Sequence, residues 1–233
     1  MIVTNYGFFH AELGNFQVLG SLCNLKRIRL ERVSISSLCK TLVPLKSLKK
    51  ISLFMCNIDK AFENCTIQVL PNLTEINIDY CNALEELPVG LCNIVHLKKL
   101  IITNCHKLFA LPEEIGKLVN LEVLRLRSCT DLSELPKSIR SLQKLSILDI
   151  SDCLNINKLP KHIGELCNLK MLNMKDCLRL RKPLPESTMQ LQQLELVVCD
   201  KERAKLWEPI KEYFTKLKVE VTEKDANLNW LLK

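Results

Sequence analysis

Apolar and polar residues alternate in short bursts along this chain, and the bursts recur at a fixed interval. LKKISLFMC (48–56), LTEINIDYC (73–81), LKKLIITNC (97–105), LEVLRLRSC (121–129), LSILDISDC (145–153), LKMLNMKDC (169–177) and LQQLELVVC (191–199) all fit L-x-x-L-x-L-x-x-C with conservative apolar swaps. LKRIRLERV (25–33) is a further copy with valine last, and MIVTNY (1–6) fits the second half of another. Successive starts lie 23, 25, 24, 24, 24, 24 and 22 residues apart. In each burst the aliphatic residues share one face and the residues between them the other, as the period of two in a strand requires. Each unit therefore predicts a short strand pairing in parallel with the next.

The second halves repeat as well. CHKLFALPEEIGKLVN (105–120), CTDLSELPKSIRSLQK (129–144) and CLNINKLPKHIGELCN (153–168) share C-x-x-[LI]-x-x-LP-x-x-I-x-x-L. A unit of about 24 residues with this pattern is a leucine-rich repeat. The expected fold is an α/β solenoid, a horseshoe of about nine to ten strands with a concave parallel sheet and short helices or loops on the convex side. One repeat cannot bury its leucines alone, so stacked repeats bury them against each other. Pro112, Pro136 and Pro160 suit the first position of a helical turn, where a missing N–H is harmless. NIDKAFENCTIQVLPN (57–72) lacks the LP motif and predicts an irregular convex loop; RKPLPES (181–187) has an extra proline and predicts a bulge.

After Cys199 the pattern stops. Asp200 can cap a helix, Pro209 should restart or kink it, and Trp207, Ile210, Phe214 and Leu217 fall on one helical face. Phe214-x-x-Leu217-x-Val219 resembles a last strand. The expected division is 1–199 repeats and 200–233 a C-terminal helix-and-strand cap, with Trp207 and Trp230 packed inside it. MIVTNYGF begins mid-pattern without a polar cap, so more protein is expected before residue 1.

Composition narrows the chemistry. Glycine is scarce (6) and aromatics are 5% of the 233 residues, which suits many similar aliphatic layers. The net charge of +7 permits an acidic partner, but basic and acidic residues alternate and no nucleic-acid motif is visible. Twelve cysteines could suggest a disulfide scaffold. Seven of them (Cys56, Cys81, Cys105, Cys129, Cys153, Cys177, Cys199) instead occupy the ninth repeat position, where a small, apolar, weakly donating thiol can sit buried against a carbonyl of an adjacent turn. The expected result is an unreactive packing spine. No C-x-x-C occurs and the four histidines are scattered, so no metal site, cofactor site or catalytic constellation is predicted. The sequons Asn64-Cys65-Thr66 and Asn72-Leu73-Thr74 keep an extracellular repeat domain open as an alternative.

Recognition should use the outward residues of the strands. In register these bring Arg27, Lys50, Glu75, Val123, Ile147 and Met171 into one column and Arg29 and Arg125 into the next. Phe54, Asp79 and Arg127 share a third, and Met55 and Tyr80 a fourth. Early repeats are basic, whereas later ones gather Asp149, Asp152, Asp176 and Glu195. Val123, Ile147 and Met171 form one expected exposed apolar group, and Phe54, Met55 and Tyr80 another. Aromatics, Met and Arg are favoured in interface cores.

The cysteine-ended strands with LP-x-x-I-G-x-L returns resemble the repeats of plant intracellular NLR immune receptors. LCNLKRIRLERVSI, LPEEIGKLVNLEVLRLRSC, VVCDKERAKLWEP and NLNWL are similar to helper NLRs with a resistance-to-powdery-mildew type coiled coil, in particular their N-requirement-gene branch. The resemblance covers essentially the whole chain. It implies a C-terminal module whose upstream coiled-coil and nucleotide-binding domains are not in this sequence. It also implies no G-x-x-x-x-G-K-[ST] chemistry here, contact with that nucleotide-binding domain during autoinhibition, and a cytoplasmic, in part nuclear, location. Membrane contact would come only through the N-terminal domain. The implied partner is the lipase-like enhanced-disease-susceptibility/senescence-associated heterodimer carrying an ADP-ribosylated nucleotide. A stand-alone repeat product competing with full-length helpers is the other role this resemblance allows.

Overall fold

The computed structural model describes residues 1–7, 9–13, 21–38, 44–63, 65 and 68–222. Among the described residues twelve strands form: β1 (Ile2–Thr4), β2 (Ala11–Leu13), β3 (Arg27–Glu31), β4 (Val33–Ile35), β5 (Lys50–Phe54), β6 (Glu75–Asp79), β7 (Lys99–Thr103), β8 (Val123–Arg127), β9 (Ile147–Asp149), β10 (Met171–Asn173), β11 (Leu196–Cys199) and β12 (Lys218–Val221). Ten make one parallel sheet, ordered β1-β3-β5-β6-β7-β8-β9-β10-β11-β12, and β2 pairs with β4 separately. No helix among the described residues is long and apolar enough to cross a membrane.

The register explains the regularity. Ile28, Ile51, Ile76, Leu100, Leu124, Leu148 and Leu172 are successive pairing partners. All are at most 2% exposed. A second ladder runs Leu30, Leu53, Ile78, Ile102, Leu126. Burying each such side chain is worth about 2 kcal/mol, and each is buried by the turns on either side of it.

The returning halves tighten into 3₁₀ turns at Val89–Asn93, Glu113–Lys117, Lys137–Ser141, Ile163–Glu165 and Glu186–Gln190. Two of the prolines stand one place earlier than the sequence suggests, and Pro160 stands three residues before its turn. Pro112 and Pro136 precede the turn in extended conformation, ψ 152° and 155°. Their use is the carbonyl: the Pro112, Pro136 and Pro160 oxygens accept from Ile115 N, Ile139 N and Ile163 N at 3.0, 3.2 and 3.0 Å. Each is the first i→i+3 bond of its turn. Glycine is required where neighbouring turns touch. A Cβ on Gly164 would lie 1.8 Å from the Ser187 carbonyl oxygen, and one on Gly90 1.9 Å from that of Phe62.

Segment 57–72 is irregular in backbone, as expected, but not loosely packed: Ala61, Phe62 and Cys65 are fully buried. Cys65, outside the spine, is disulfide-bonded. Asn64 and Thr66 lie outside the described residues.

The last repeat is in a different frame from the one read in LQQLELVVC. Met171 pairs with Leu196 and Asn173 with Val198, so Leu169 aligns with Leu194, not Leu191. Leu191 ends the preceding 3₁₀ turn, as Leu118, Leu142 and Leu166 end theirs. The full pattern fits from Leu191, whereas from Leu194 it runs Leu194, Val197, Cys199 and Glu202, yet the longer return through 181–187 selects the second. Cys199 therefore fills a strand core slot and is not a spine residue, and Val197 is fully buried, not outward.

Beyond β11, Asp200 caps a single helical turn, α1 (Lys201–Ala204), accepting from Glu202 N and Arg203 N at 3.0 and 3.3 Å. Arg203 is buried beside it, with Nη1 2.8 Å from Asp200 Oδ1 and Nη2 donating to the Leu178 carbonyl. Pro209 lies in the first turn of a new 3₁₀ segment (Glu208–Tyr213), the restart that was one of its two expected effects. Trp207 is fully buried, 6.4 Å from the Phe214 ring centroid. β12 then pairs with β11, Val219 opposite Val197. Trp230 lies outside the described residues.

Candidate functional site

The strand exits set the geometry of the recognition face. Arg32, Met55, Tyr80, Asn104, Ser128, Asp152 and Asp176 all have φ between 51° and 60°. This left-handed conformation turns the chain off the sheet while its amide still bonds sideways. Met55 N donates to Asp79 O at 2.9 Å and Tyr80 N to Thr103 O at 3.1 Å, and Arg32, Asn104, Ser128 and Asp152 repeat the pattern. Asn, Asp and Ser tolerate it, but long side chains adopt it rarely. The periodicity alone does not reveal this column; the short polar residues at four of its seven places are the signal.

Except after Arg32, where it is Val33, the next residue in each turn is the spine cysteine. The Sγ atoms of Cys56, Cys153 and Cys177 donate to the carbonyls of Leu30, Leu126 and Ile150 at 3.3, 2.6 and 3.0 Å, each in the preceding turn. Burial pushes the Cys56 thiol up to about 11 and Cys177 up to about 12. Cys129 and Cys153 are raised further by the same cause. Cys81 is raised by its hydrogen bond with Cys105 and then by burial. Such thiols are packing groups, not nucleophiles. Among the described residues no three His, Cys, Asp or Glu side chains converge as metal donors would.

On the outer face of the first strands, side chains stack across the sheet. The Arg29 guanidinium lies 5.7 Å above the Phe54 ring. Phe54 meets Tyr80 edge-to-face at 5.8 Å. Arg29 also holds Glu31 in a salt bridge and, with Thr4 adding a hydrogen bond, keeps that carboxyl below its ordinary value. Lys50 pairs with Glu75 at 2.6 Å. Asp79 accepts from Thr103 Oγ1 and Asn104 Nδ2 at 2.7 and 3.0 Å. The front acids are thus occupied, while the described salt bridges leave Arg27 and Arg32 without a carboxylate.

The middle of the face departs from expectation. Val123, read as exposed, is 9% exposed, covered by its in-register neighbours Lys99 and Ile147. Ile147 and Met171 are half-buried, as are Phe54, Met55 and Arg125. Tyr80, at 38%, is the exposed member of its group. Asp149 is 5% exposed. Its Oδ1 accepts from Ser151 N at 3.1 Å and Ser151 Oγ at 2.7 Å, with Arg127 Nε 3.6 Å from Oδ2. Asn173 takes the Lys175 amide likewise at 3.1 Å. These side chains bond the amide two residues on in place of a ladder partner. That is why β9 and β10 have three residues where β5 to β8 have five.

A group the sequence reading overlooked lies beside the first exits. Tyr6, Phe9, His10, Arg32, Met55 and Tyr80 line a groove of about 520 Å³. Tyr6 and Phe9 are 90% and 88% exposed. The signal was present in NYGFFH, an aromatic tract with no alternation to bury it.

No family model matches the chain. Disease resistance protein ADR1 of Arabidopsis thaliana is 47% identical over 234 residues, 99% of this chain and 29% of that protein. Probable disease resistance protein At5g66900 of the same plant is 49% identical over 104 residues, 43% of this chain and 13% of that protein. Probable disease resistance protein At5g66890 is 46% identical over 105 residues, 44% of this chain and 25% of that protein. The chain thus spans less than a third of the length of these relatives. Among solved structures, the leucine-rich repeat domain of the type III effector XopL superposes with a TM-score of 0.58 at 21% identity, covering 86% of this chain and 79% of that one. An internalin (inlF) from Listeria monocytogenes gives 0.53 at 14%, covering 95% and 61%. These two likenesses show the fold alone.

Proposed function

The chain belongs with the plant disease resistance proteins of the helper NLR class, as a leucine-rich repeat module for protein binding, and from that premise we propose which partner it takes and where. The partner is the lipase-like enhanced-disease-susceptibility/senescence-associated heterodimer, in the form carrying an ADP-ribosylated nucleotide. The same surface contributes to autoinhibition by contacting the nucleotide-binding domain of a full-length receptor. The finer placement, in the N-requirement-gene branch, rests on LCNLKRIRLERVSI and VVCDKERAKLWEP. In this reading the module performs no catalysis itself, and the segment from Asp200 onward caps the solenoid.

The observation that carries the reading is the stack of Arg29, Phe54 and Tyr80 across β3, β5 and the exit of β6, beside the unpaired Arg27. Aromatic and Arg side chains at the centre of a patch supply most of the energy in many interfaces. The later strands offer less. Their acids are internally bonded, as at Asp149, or crowded, as at Asp152, whose carboxyl burial and the neighbouring Asp176 raise.

Pull-down of the purified heterodimer, with and without the nucleotide signal, tests this. Phe54→Ala with Tyr80→Ala, and Arg27→Glu with Arg29→Glu, should each weaken capture while the chain remains folded. Undiminished capture by both double variants would reject the surface, and no capture by the unmodified chain would reject the partner.

A further inference from the structure

Three adjacent turns put long side chains where the backbone disfavours them. Arg32, Met55 and Tyr80 sit at φ 55°, 51° and 54°, while the following four exits use Asn, Ser, Asp and Asp. Residues held in such a conformation point to a use for the side chain. All three line the groove that holds the highly exposed Tyr6 and Phe9. The groove contains one guanidinium and no carboxylate among its lining residues. His10 is fixed in it by a 2.7 Å contact from Nε2 to the Met55 carbonyl oxygen. Through Tyr80 it continues into the Phe54–Arg29 stack.

We propose that this groove is a docking site for an extended acidic segment of a partner protein that carries an aromatic or leucine anchor. The anchor packs among Tyr6, Met55 and Tyr80, and the carboxylates face Arg32 and, further along, Arg27. Charge complementarity selects an anionic ligand, since the nearby acids Glu31 and Glu75 are held by Arg29 and Lys50. The adaptable thioether and the aromatic rings select an apolar side chain beside that charge. An open groove with this mixture suits a peptide chain better than a lipid headgroup, which needs cations alone. The inference rests on the protein-binding reading above and names the chemistry of the segment bound.

The test uses fluorescein-labelled short peptides in which Glu alternates with Trp, Leu or Phe, a matched set with Lys in place of Glu, and phosphatidylserine vesicles. Fluorescence anisotropy against the whole chain should show the Glu set binding at least about tenfold tighter than the Lys set, with vesicles silent. Tyr80→Asn should weaken the Glu set by about tenfold or more, as expected of an aromatic anchor. Its melting temperature should hold or rise, because Asn suits the exit conformation. Arg32→Glu should weaken binding and flatten its salt dependence. Equal binding of both sets, affinity unchanged in both variants, or binding to vesicles alone would overturn the proposal. If the peptides fail while the heterodimer is still captured, only the groove falls. If capture fails while the Glu peptides bind, the heterodimer is the wrong partner and the groove stands.

Discussion

Thiol labelling offers a quantitative check on the spine. Among the described free cysteines only Cys23 and Cys167 are exposed, and Cys56, Cys81, Cys105, Cys129, Cys153 and Cys177 are at most 2% exposed. Two factors protect the buried set. The reagent must reach the sulfur, which requires a turn to open. Then the thiolate must form, because only the thiolate attacks. With burial raising Cys56 from 9.0 to about 11, its thiolate fraction at mildly alkaline pH is about 100-fold below that of an ordinary thiol. For Cys177, at about 12, the factor is about 1000. Opening a turn also removes the burial that raises the thiol, so these figures describe attack on the closed fold, and labelling through opening tracks how rarely a turn opens. Iodoacetamide labelling followed by peptide mass mapping reads each site separately. Cys23 and Cys167 should label promptly, and the spine only after denaturant is added. Labelling of Cys129 or Cys153 in the native chain at the rate of Cys167 would refute the packing argument.

Four further outcomes are expected. The thiols that burial raises ionise near 9.0 in the unfolded chain and well above it in the fold. Their contribution is full below pH 9 and is lost above it, so the urea midpoint should fall between about pH 9 and 12. Gly164→Ala drives a Cβ to 1.8 Å from the Ser187 carbonyl oxygen and should cost about 1–3 kcal/mol by urea titration. Val197→Asp, at a fully buried site, should cost several kcal/mol, roughly 3 or more, while Gln193→Asp, at an exposed one, should cost little. The reverse would restore the frame read from LQQLELVVC. Arg203→Met leaves Asp200 buried without its partner and should destabilise by about 3–5 kcal/mol in thermal or urea unfolding.

Several features follow from the sequence alone, because they depend on spacing. The period near 24 and the alternation inside each burst dictate the parallel strands, the two aliphatic ladders and the cysteine spine. No other arrangement buries so many equivalent leucines at once. The basic front strands and the Phe54–Tyr80 neighbourhood are legible in the same way, since residues in register must lie side by side. Tertiary structure decided the rest. Leu191 fits the motif better than Leu194, which puts Glu202 in the cysteine slot, and only the path of the preceding return shows that Leu194 heads the last repeat. Asp149 looks like an exposed acid until its side chain is seen to take the Ser151 amide and end β9. Val123 looks exposed until its neighbours are placed on either side. The groove beside Arg32 joins residues from four separate turns. Periodicity states which face a side chain is on, but exposure, pairing and concavity depend on the lengths and conformations of the segments between the repeats.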